Sequence, residues 1–218
     1  MNKKIKEVLK SDNKGAKGLT KYNKQGLVEY RKTLSGKESW IEYNDKGKIT
    51  HYKNSEGIEY WREYDDSGKL IKFTNAVGLV KDYIYNEKGL VSEIIGTNGT
   101  IQSFVYNEKG SITKYNESHG DYEFWYEYGY NEQQQLVYKK TSKGYECWKY
   151  YDDNGNLIRE ITNKGFEINY KYNEQGLLIY MKRTNGYECW YEYNEYGLLT
   201  RQYDNEDNEF KREYIYVE

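Results

Sequence analysis

Residues 170–178 read Tyr-Lys-Tyr-Asn-Glu-Gln-Gly-Leu-Leu, and residues 191–199 read Tyr-Glu-Tyr-Asn-Glu-Tyr-Gly-Leu-Leu. The two stretches start 21 residues apart and their pattern recurs along the chain, so an internal repeat decides the fold. The glycines of this Tyr-(Asn/Asp)-x-x-Gly-x-aliphatic pattern are Gly26, Gly47, Gly68, Gly89, Gly110, Gly155, Gly176 and Gly197. They step by 21 residues, except that Gln134 stands in a vacant glycine position, 24 residues after Gly110.

A second set of glycines alternates with the first, at spacings of 10 and 11 residues outside that longer step. Its members are Gly15, Gly36, Gly57, Gly78, Gly99, Gly120, Gly144, Gly165 and Gly186, and Asp207 takes the next position. Turns at these positions leave strands of about 5–7 residues, a usual strand length, and no room for helices. Each 21-residue unit is therefore predicted to be a β-hairpin plus a connecting turn, and the 19 turn positions predict about 20 antiparallel strands.

The turn pattern also predicts the core contact of each hairpin. Asn or Asp opens a type I turn through its side chain, and glycine three residues later suits the left-handed position of a G1 bulge. In such a turn Tyr172 faces Leu178 across the hairpin, with the hydroxyl of the tyrosine in water. The second set of turns is looser in sequence, with Asn98-Gly99 as a stronger hairpin signal than Lys143-Gly144.

The predicted fold class is all-β, an antiparallel meander of about 20 short strands in an elongated or partly rolled, twisted sheet. A compact sandwich is not expected, because mean hydropathy is −1.12 and the strands lack two apolar faces. We expect residues 1–14 to form an N-terminal cap, either a short helix or a first strand, and residues 15–218 a single repeat domain. The irregular unit at residues 120–134 holds three extra residues, for which a bulge that bends the sheet or marks a site is the simplest account.

The chain offers little material for catalysis. Its two histidines, His51 and His119, stand apart and are interpreted as surface residues, so no Ser/His/Asp or Cys/His set can be assembled. Cys147 and Cys189 lie four predicted strands apart, about 19 Å, which is too far for a disulfide. Without clustered metal ligands or a phosphate-binding loop we expect no enzyme, no cofactor and no metal site.

Charge and hydropathy argue against other classes. Lys and Arg number 33 and Asp and Glu 35, so the net charge of −2 gives no chain-wide basic footprint for nucleic acid. No apolar run approaches the about 18 residues of a membrane span, and the start of the chain lacks the apolar stretch of a secretory signal. We therefore expect a cytoplasmic protein that binds neither nucleic acid nor membrane.

One column of side chains exceeds what a sheet requires. Seven residues before a first-set glycine stand Trp40, Trp61, Trp148 and Trp190, and two residues before each of these stand Glu38, Glu59, Glu146 and Glu188. Residues two apart in a strand share a face, so Glu and Trp project together, opposite the Tyr–aliphatic pairs. With Trp125 of the irregular unit they form a candidate acidic and aromatic protein-binding stripe. The alternative is a solvated face with packing tryptophans.

The pattern of residues 170–178 resembles the YD repeat of RHS-type proteins, and the resemblance covers residues 15–216. The Arg common after the turn glycine of that family is replaced here, for example by Lys48. Residues 148–157, Trp-Lys-Tyr-Tyr-Asp-Asp-Asn-Gly-Asn-Leu, also resemble the MORN-variant repeats of YwqK-like antitoxins, although the 21-residue period favours the YD repeat. The first resemblance implies shells around polymorphic toxins or adhesive surface proteins, and the second implies small interaction or antitoxin-like proteins.

The leading hypothesis is a non-enzymatic bacterial protein-interaction module, an immunity or antitoxin-like partner of a polymorphic toxin. The resemblance implies a basic toxin domain as the protein partner, whose Lys and Arg would pair with the glutamates while the tryptophans act as apolar anchors. The alternatives are a carbohydrate- or surface-binding YD-repeat module, in which Trp and Tyr stack on the ligand, and a structural fragment of an RHS toxin shell.

Overall fold

The computed structural model describes residues 6–11 and 15–214. Every regular element in this part of the chain is a β-strand, so it holds no helix long and apolar enough to cross a membrane. The strands are β1 (Glu7–Ser11), β2 (Lys17–Tyr22), β3 (Val28–Lys32), β4 (Glu38–Tyr43), β5 (Ile49–Asn54), β6 (Glu59–Tyr64), β7 (Leu70–Asn75), β8 (Val80–Tyr85), β9 (Val91–Gly96), β10 (Thr100–Tyr106), β11 (Ile112–His119), β12 (Tyr122–Tyr130), β13 (Leu136–Thr141), β14 (Glu146–Tyr151), β15 (Leu157–Thr162), β16 (Glu167–Tyr172), β17 (Leu178–Arg183), β18 (Glu188–Tyr193), β19 (Leu199–Asp204) and β20 (Glu209–Lys211). The predicted all-β antiparallel meander of short strands is confirmed.

The chain divides into two compact units. Unit 1 holds residues 1–104 and 117–123, and unit 2 holds residues 105–116 and 124–218. In unit 1 each strand from β1 to β10 pairs with its neighbour along the chain. In unit 2 the same holds from β12 to β20.

The structure bears on two regions outside the regular repeat, the N-terminal cap and the irregular unit at residues 120–134. Glu7–Ser11 form a strand, one of the two alternatives for the cap, while residues 1–5 and 12–14 of that cap lie outside the described residues. In the irregular unit, β11 and β12 have eight and nine residues and a two-residue turn joins them, so the extra residues lengthen this hairpin. The single domain expected over residues 15–218 stays a prediction.

Two kinds of hairpin ladder alternate along the chain. Across the Tyr-Asn turn, β4 and β5 share five residue pairs, which end in a bulge and the pair Tyr43–Ile49. Across the following turn, β5 and β6 share three pairs, from Lys53–Glu59 to His51–Trp61, and the ladder ends there. Of the nine predicted Tyr–aliphatic pairs, Tyr106–Ile112 stays a prediction and the other eight are confirmed: Tyr22–Val28, Tyr43–Ile49, Tyr64–Leu70, Tyr85–Val91, Tyr130–Leu136, Tyr151–Leu157, Tyr172–Leu178 and Tyr193–Leu199.

All 19 predicted turn positions have a positive φ, the left-handed conformation predicted for the glycines of the first set. Seventeen of them are glycines, which adopt this region without steric strain, for example Gly47 at 74°. The other two are Gln134 at 63° and Asp207 at 64°, the two substitutions in the glycine sets. The turn prediction is therefore confirmed at every position, including those that lack glycine.

Most turns of the second set have the same backbone geometry as the first, although their sequences are looser and the turn at Gly120 has only two residues. The amide of Asn44 donates to the carbonyl of Lys48 in a first-set turn, and the amide of Asn54 donates to the carbonyl of Ile58 in a second-set turn. In both turns the Asn side-chain oxygen accepts two further amides. Gly99 takes the left-handed position in its turn, and Asn98 before it does not.

Most hairpins are also tied to the preceding hairpin by a tyrosine hydroxyl. The hydroxyl of Tyr64 donates to the carbonyl of Ile49 at 2.9 Å, beyond the end of the three-pair ladder between β5 and β6. The corresponding bonds are made by Tyr43, Tyr85, Tyr130, Tyr151, Tyr172, Tyr193 and Tyr214. These hydroxyls, expected to lie in water, therefore satisfy backbone carbonyls that the ladder leaves without a partner.

The face of the Tyr–aliphatic pairs is the more buried one. Alternation along β14 and β18 places Cys147 and Cys189 on this face, where they are 5% and 1% exposed. Both cysteines are free, as their spacing predicted. The aliphatic partners such as Leu157 are half-buried, so the core is thin and consists largely of tyrosine rings.

Candidate functional site

The structure places the predicted tryptophans on the face opposite the Tyr–aliphatic pairs. In β4, Trp40 and Glu38 alternate with Ser39 and Ile41, and Trp40 lies directly across from Tyr30 of β3. The same relation joins Trp148 to Tyr138, Trp190 to Tyr180, and Trp61 to His51. We call this side of each unit the Trp face.

The glutamates of the stripe are already paired within the chain. Lys32 Nζ lies 2.8 Å from Glu38, and Lys182 Nζ lies 2.7 Å from Glu188. The hydrogen bond from Lys32 lowers the pKa of the Glu38 carboxyl below its ordinary value. The corresponding contacts join Lys53 to Glu59, Lys140 to Glu146, Arg159 to Glu167 and Arg201 to Glu209. The column of glutamates is therefore locally neutral rather than acidic.

Each tryptophan of the repeats packs on the aromatic ring across the ladder. The ring centroids of Tyr30 and Trp40 lie 5.7 Å apart, and those of Tyr138 and Trp148 and of Tyr180 and Trp190 lie 5.6 Å apart. His51 stacks on Trp61 at 5.0 Å, with an interplanar angle of 5°. Four quartets result, each with a Trp, its aromatic partner, a Glu and the opposing Lys: Tyr30, Lys32, Glu38 and Trp40; His51, Lys53, Glu59 and Trp61; Tyr138, Lys140, Glu146 and Trp148; Tyr180, Lys182, Glu188 and Trp190.

The four quartets are not equally exposed. Trp40 and Trp61 of unit 1 are 39% and 40% exposed, whereas Trp148 and Trp190 of unit 2 are half-buried. Trp190 is also stacked on Tyr203 at 5.3 Å, which covers its second side. The structure therefore leaves the tryptophans of unit 1 more accessible to a partner.

Trp125 stands apart from these quartets. Glu123 precedes it and Glu127 follows it by two residues, as in the repeats of Trp40 and Trp61, but no aromatic ring among the described residues packs on Trp125. Instead, Lys114 Nζ lies 5.9 Å from its ring centroid and 3.9 Å from Glu127. Trp125 therefore has a different environment from the other tryptophans of the stripe.

Unit 1 holds two quartets in consecutive repeats, which creates one row of aromatic rings. This aromatic row consists of Tyr30, Trp40, His51 and Trp61 on strands β3 to β6. In unit 2 the repeat between the two quartets carries Arg159 and Asn169 at the corresponding positions, so the row is interrupted. The aromatic row of unit 1 is the best-formed candidate site.

The described residues show no arrangement typical of an active site. They contain no group of three or more His, Cys, Asp and Glu side chains that could hold a metal ion. His51 lies 2.9 Å from Glu59 and 3.3 Å from Glu42, and its ring bonds to no serine or cysteine among the described residues. The chemistry of this site is that of stacking, ion pairing and hydrogen bonding.

Sequence reasoning missed the lysines of the quartets, although a signal was present. A lysine precedes each stripe glutamate by six residues: Lys32, Lys53, Lys140 and Lys182. With the turn geometry of the second set established, this spacing places each lysine directly opposite its glutamate. The looser sequences of those turns hid the register, and with it the neutrality of the column.

Comparison with known proteins supports the fold. No family model and no curated protein match the chain. Among solved structures it is similar to the Photorhabdus luminescens Tc holotoxin pore, with 12% identity and a TM-score of 0.59 over 88% of this chain and 13% of that chain. It is also similar to a TcdB2–TccC3 crystal structure, with 10% identity and a TM-score of 0.53 over 92% of this chain and 15% of that chain.

At these identities the likeness shows the fold alone, and the fold is an RHS-like repeat fold. The chain spans only a small part of the length of either structure. The choice between YD and MORN-variant repeats within that fold stays a prediction.

Proposed function

We propose that this chain is a non-enzymatic protein-binding repeat module whose binding site is the aromatic row of unit 1. The observation that carries this proposal is the exposure of Trp40 and Trp61, 39% and 40%, on a face that the core does not use. Large aromatic side chains are favoured anchors at protein interfaces because they bury much apolar area at little cost in conformational entropy.

The ion pairs of the quartets support binding by apolar contact. Since Lys32 neutralises Glu38 and Lys53 neutralises Glu59, the row is flanked on that side by charges that need no external partner. A partner that covers Trp40 and Trp61 does not have to supply countercharges there, which lowers the desolvation penalty of association. In this proposal the glutamates of the stripe form neutral ion pairs beside the tryptophans and do not contact the partner's charges.

Within this proposal, we favour an immunity or antitoxin-like partner of a polymorphic toxin that acts in the cytoplasm. The support is the fold likeness to a structure that is named as a holotoxin pore, together with the binding face. Genes adjacent to the one for this chain offer an inexpensive test. An adjacent toxin gene is the expected result, whereas an adjacent gene for the remainder of a large repeat shell would favour a structural fragment.

The binding site itself is tested by capture of a partner from the native host on immobilised chain. We expect Trp40→Ala/Trp61→Ala to reduce capture about tenfold or more, because interface anchors of this kind contribute much of the binding free energy. Ile84→Ala is the matched control, since Ile84 is 43% exposed and lies on the same face outside the aromatic row. Equal capture by the wild type and both folded variants would contradict the proposed site.

A carbohydrate ligand is the second candidate function, favoured by the stacked pair His51–Trp61 with its partly exposed indole. Flat aromatic rings of this kind can stack on the apolar faces of sugars. A glycan array distinguishes this candidate, because binding to a defined glycan that Trp61→Ala abolishes would replace the protein partner with a sugar.

A further inference from the structure

Resting on the proposed function, we infer that the partner segment seated on the aromatic row is a proline-rich stretch in polyproline II conformation with basic residues along one side. The first argument is the period of the row. Its two aromatic pairs, Tyr30–Trp40 and His51–Trp61, lie one repeat apart, which is two strand spacings or about 9.6 Å.

A polyproline II helix has three residues per turn and advances about 9.3 Å per turn. A segment that runs across β3 to β6 therefore presents every third side chain to successive aromatic pairs. An extended β-strand repeats every about 6.8 Å on one face, so its side chains do not match this spacing. Polyproline II segments are also recognised by aromatic-lined grooves, because the preformed helix loses little entropy on binding.

The second argument is charge on the flank of the aromatic row away from the Lys–Glu pairs. Glu42 follows Trp40 by two residues on the same face, and its side chain is 72% exposed. Glu63 has the same relation to Trp61 and is also exposed. These carboxylates are again one repeat apart, so they match a basic residue at every third position of the same segment.

These 218 residues contain no proline, so they do not themselves supply the segment. The period predicts a motif in which one residue of each three contacts an aromatic pair and a neighbouring residue, Arg or Lys, faces Glu42 or Glu63. Unit 2 does not offer this arrangement, because Arg159 and Asn169 interrupt its aromatic pairs. The two units of one molecule thus provide a site and an internal control.

The test uses three labelled synthetic peptides, (Pro-Pro-Arg)4, (Gly-Ser-Arg)4 and (Pro-Pro-Glu)4, titrated with the full chain and followed by fluorescence anisotropy. We expect (Pro-Pro-Arg)4 to bind at least about tenfold more tightly than either of the others, since one lacks the helix and the other the charge. Equal affinity for (Pro-Pro-Arg)4 and (Gly-Ser-Arg)4 would show mere attraction of a cation and overturn the inference.

Variants locate the binding. Trp40→Ala/Trp61→Ala should weaken (Pro-Pro-Arg)4 about tenfold or more, while Trp148→Ala/Trp190→Ala should leave it unchanged. Glu42→Gln/Glu63→Gln should weaken it and flatten its salt dependence, while Glu174→Gln/Glu195→Gln, on turns of unit 2, should do neither. If the first double variant unfolds in a thermal scan, Trp61→Tyr keeps a ring in the sheet and should give a smaller loss.

An equal loss from the unit 2 variants would overturn the inference. Its failure is distinguishable from failure of the proposed function. If the peptides do not discriminate but capture of the native partner still depends on Trp40 and Trp61, the partner has another chemistry and the binding face stands. If neither binding depends on these tryptophans, both proposals are wrong.

Discussion

The tyrosine that precedes a first-set turn makes two contacts, one within its own hairpin and one with the preceding hairpin. The ring of Tyr64 faces Leu70 within its own hairpin, and the hydroxyl of Tyr64 donates to the carbonyl of Ile49 in the preceding hairpin. Lys48 Nζ lies 5.6 Å from the centroid of the same ring, in the position where the YD pattern has arginine. The tyrosine is therefore both a core residue and a link between repeats.

Removal of one such hydroxyl should measure how much its hydrogen bond between hairpins contributes to stability. We expect Tyr64→Phe to lower the free energy of unfolding by about 1 kcal/mol, because the carbonyl of Ile49 loses its donor while the ring stays in place. Tyr150→Phe is the control, since the hydroxyl of Tyr150 makes no hydrogen bond with the described residues, and it should change stability by less than about 0.5 kcal/mol. Urea midpoints that do not separate the two variants would contradict the link.

The two left-handed positions without glycine should respond differently to its introduction. Asp207, at φ 64°, should be stabilised by about 0.5 to 1 kcal/mol on change to glycine, because backbone strain outweighs the entropy of the unfolded chain. Gln134, at φ 63°, accepts hydrogen bonds from Asn107 and Ser111 through its side chain, so Gln134→Gly should give little or no gain. Thermal unfolding of both variants checks this order, and a larger gain for Gln134→Gly would contradict it.

At the scale of single residues, the sequence predicts which side chains contact each other within a hairpin, but it does not predict the contacts between neighbouring hairpins. The Tyr–aliphatic pair follows from the turn, because Asn-x-x-Gly fixes the register of the two strands that it joins. The acceptor of the Tyr64 hydroxyl depends on where the next ladder stops, and no local pattern specifies that point. The quartet lysines were missed for the same reason, since they belong to the less distinctive turns.

At the scale of the elements, the unit of construction is the hairpin together with the turn that follows it. The unit holds 21 residues and two strands, so the addition or removal of one whole unit preserves strand direction and the alternation of faces. The irregular hairpin β11–β12 respects this rule, because it is longer but still contributes two strands.

Excision of a whole unit should therefore be tolerated. Deletion of residues 156–176 removes β15 and β16 and joins Gly155 to Leu177, which restores the same turn. We expect this variant to fold with a β-sheet circular dichroism spectrum and one cooperative transition. The matched deletion of residues 156–165 removes one strand and reverses every later one, so we expect it to aggregate or stay unfolded. Similar solubility and transitions for both deletions would contradict the hairpin unit.

At the scale of the whole molecule, the protein depends on tyrosines that stay neutral. The sequence contains 28 of them, and burial raises the pKa of many, including Tyr43, Tyr85, Tyr172 and Tyr193. Burial and the nearby Glu160 raise the pKa of Tyr170 to about 12, and burial and the hydrogen bond with Asp204 raise that of Tyr187 to about 12.

Alkaline pH should therefore unfold the protein. An unfolded tyrosine loses its proton near pH 10.0, whereas folded Tyr170 and Tyr187 keep theirs to about 12, so the stabilisation is complete below pH 10 and is lost as the pH rises towards 12. Urea midpoints at pH 8, 10 and 11.5 should fall across this window. Tyr170→Phe/Tyr187→Phe should show a shallower fall, and an identical pH dependence would contradict the assignment.

The composition of the whole chain indicates its architecture better than its role. The regular glycine spacing predicts the strand order, because each turn acts locally and the meander needs no long-range choice. The candidate site is less predictable, because the exposure of Trp40 compared with Trp190 depends on what packs beside each ring. Tyr203 covers Trp190, and no repeat pattern required a tyrosine there.

The alternation of five-pair and three-pair ladders also has a mechanical consequence. If a unit is pulled from one end, a connection between hairpins that lacks a quartet, such as β7–β8 with three pairs and the Tyr85 hydroxyl, should present less resistance than the five-pair ladders within the hairpins. These connections should yield one after another, and each hairpin that comes free would then open and release the same 21-residue length of chain, about 70 Å when fully stretched. Such a protein lengthens by uniform increments under load and absorbs work at every step without losing the hairpins that remain attached.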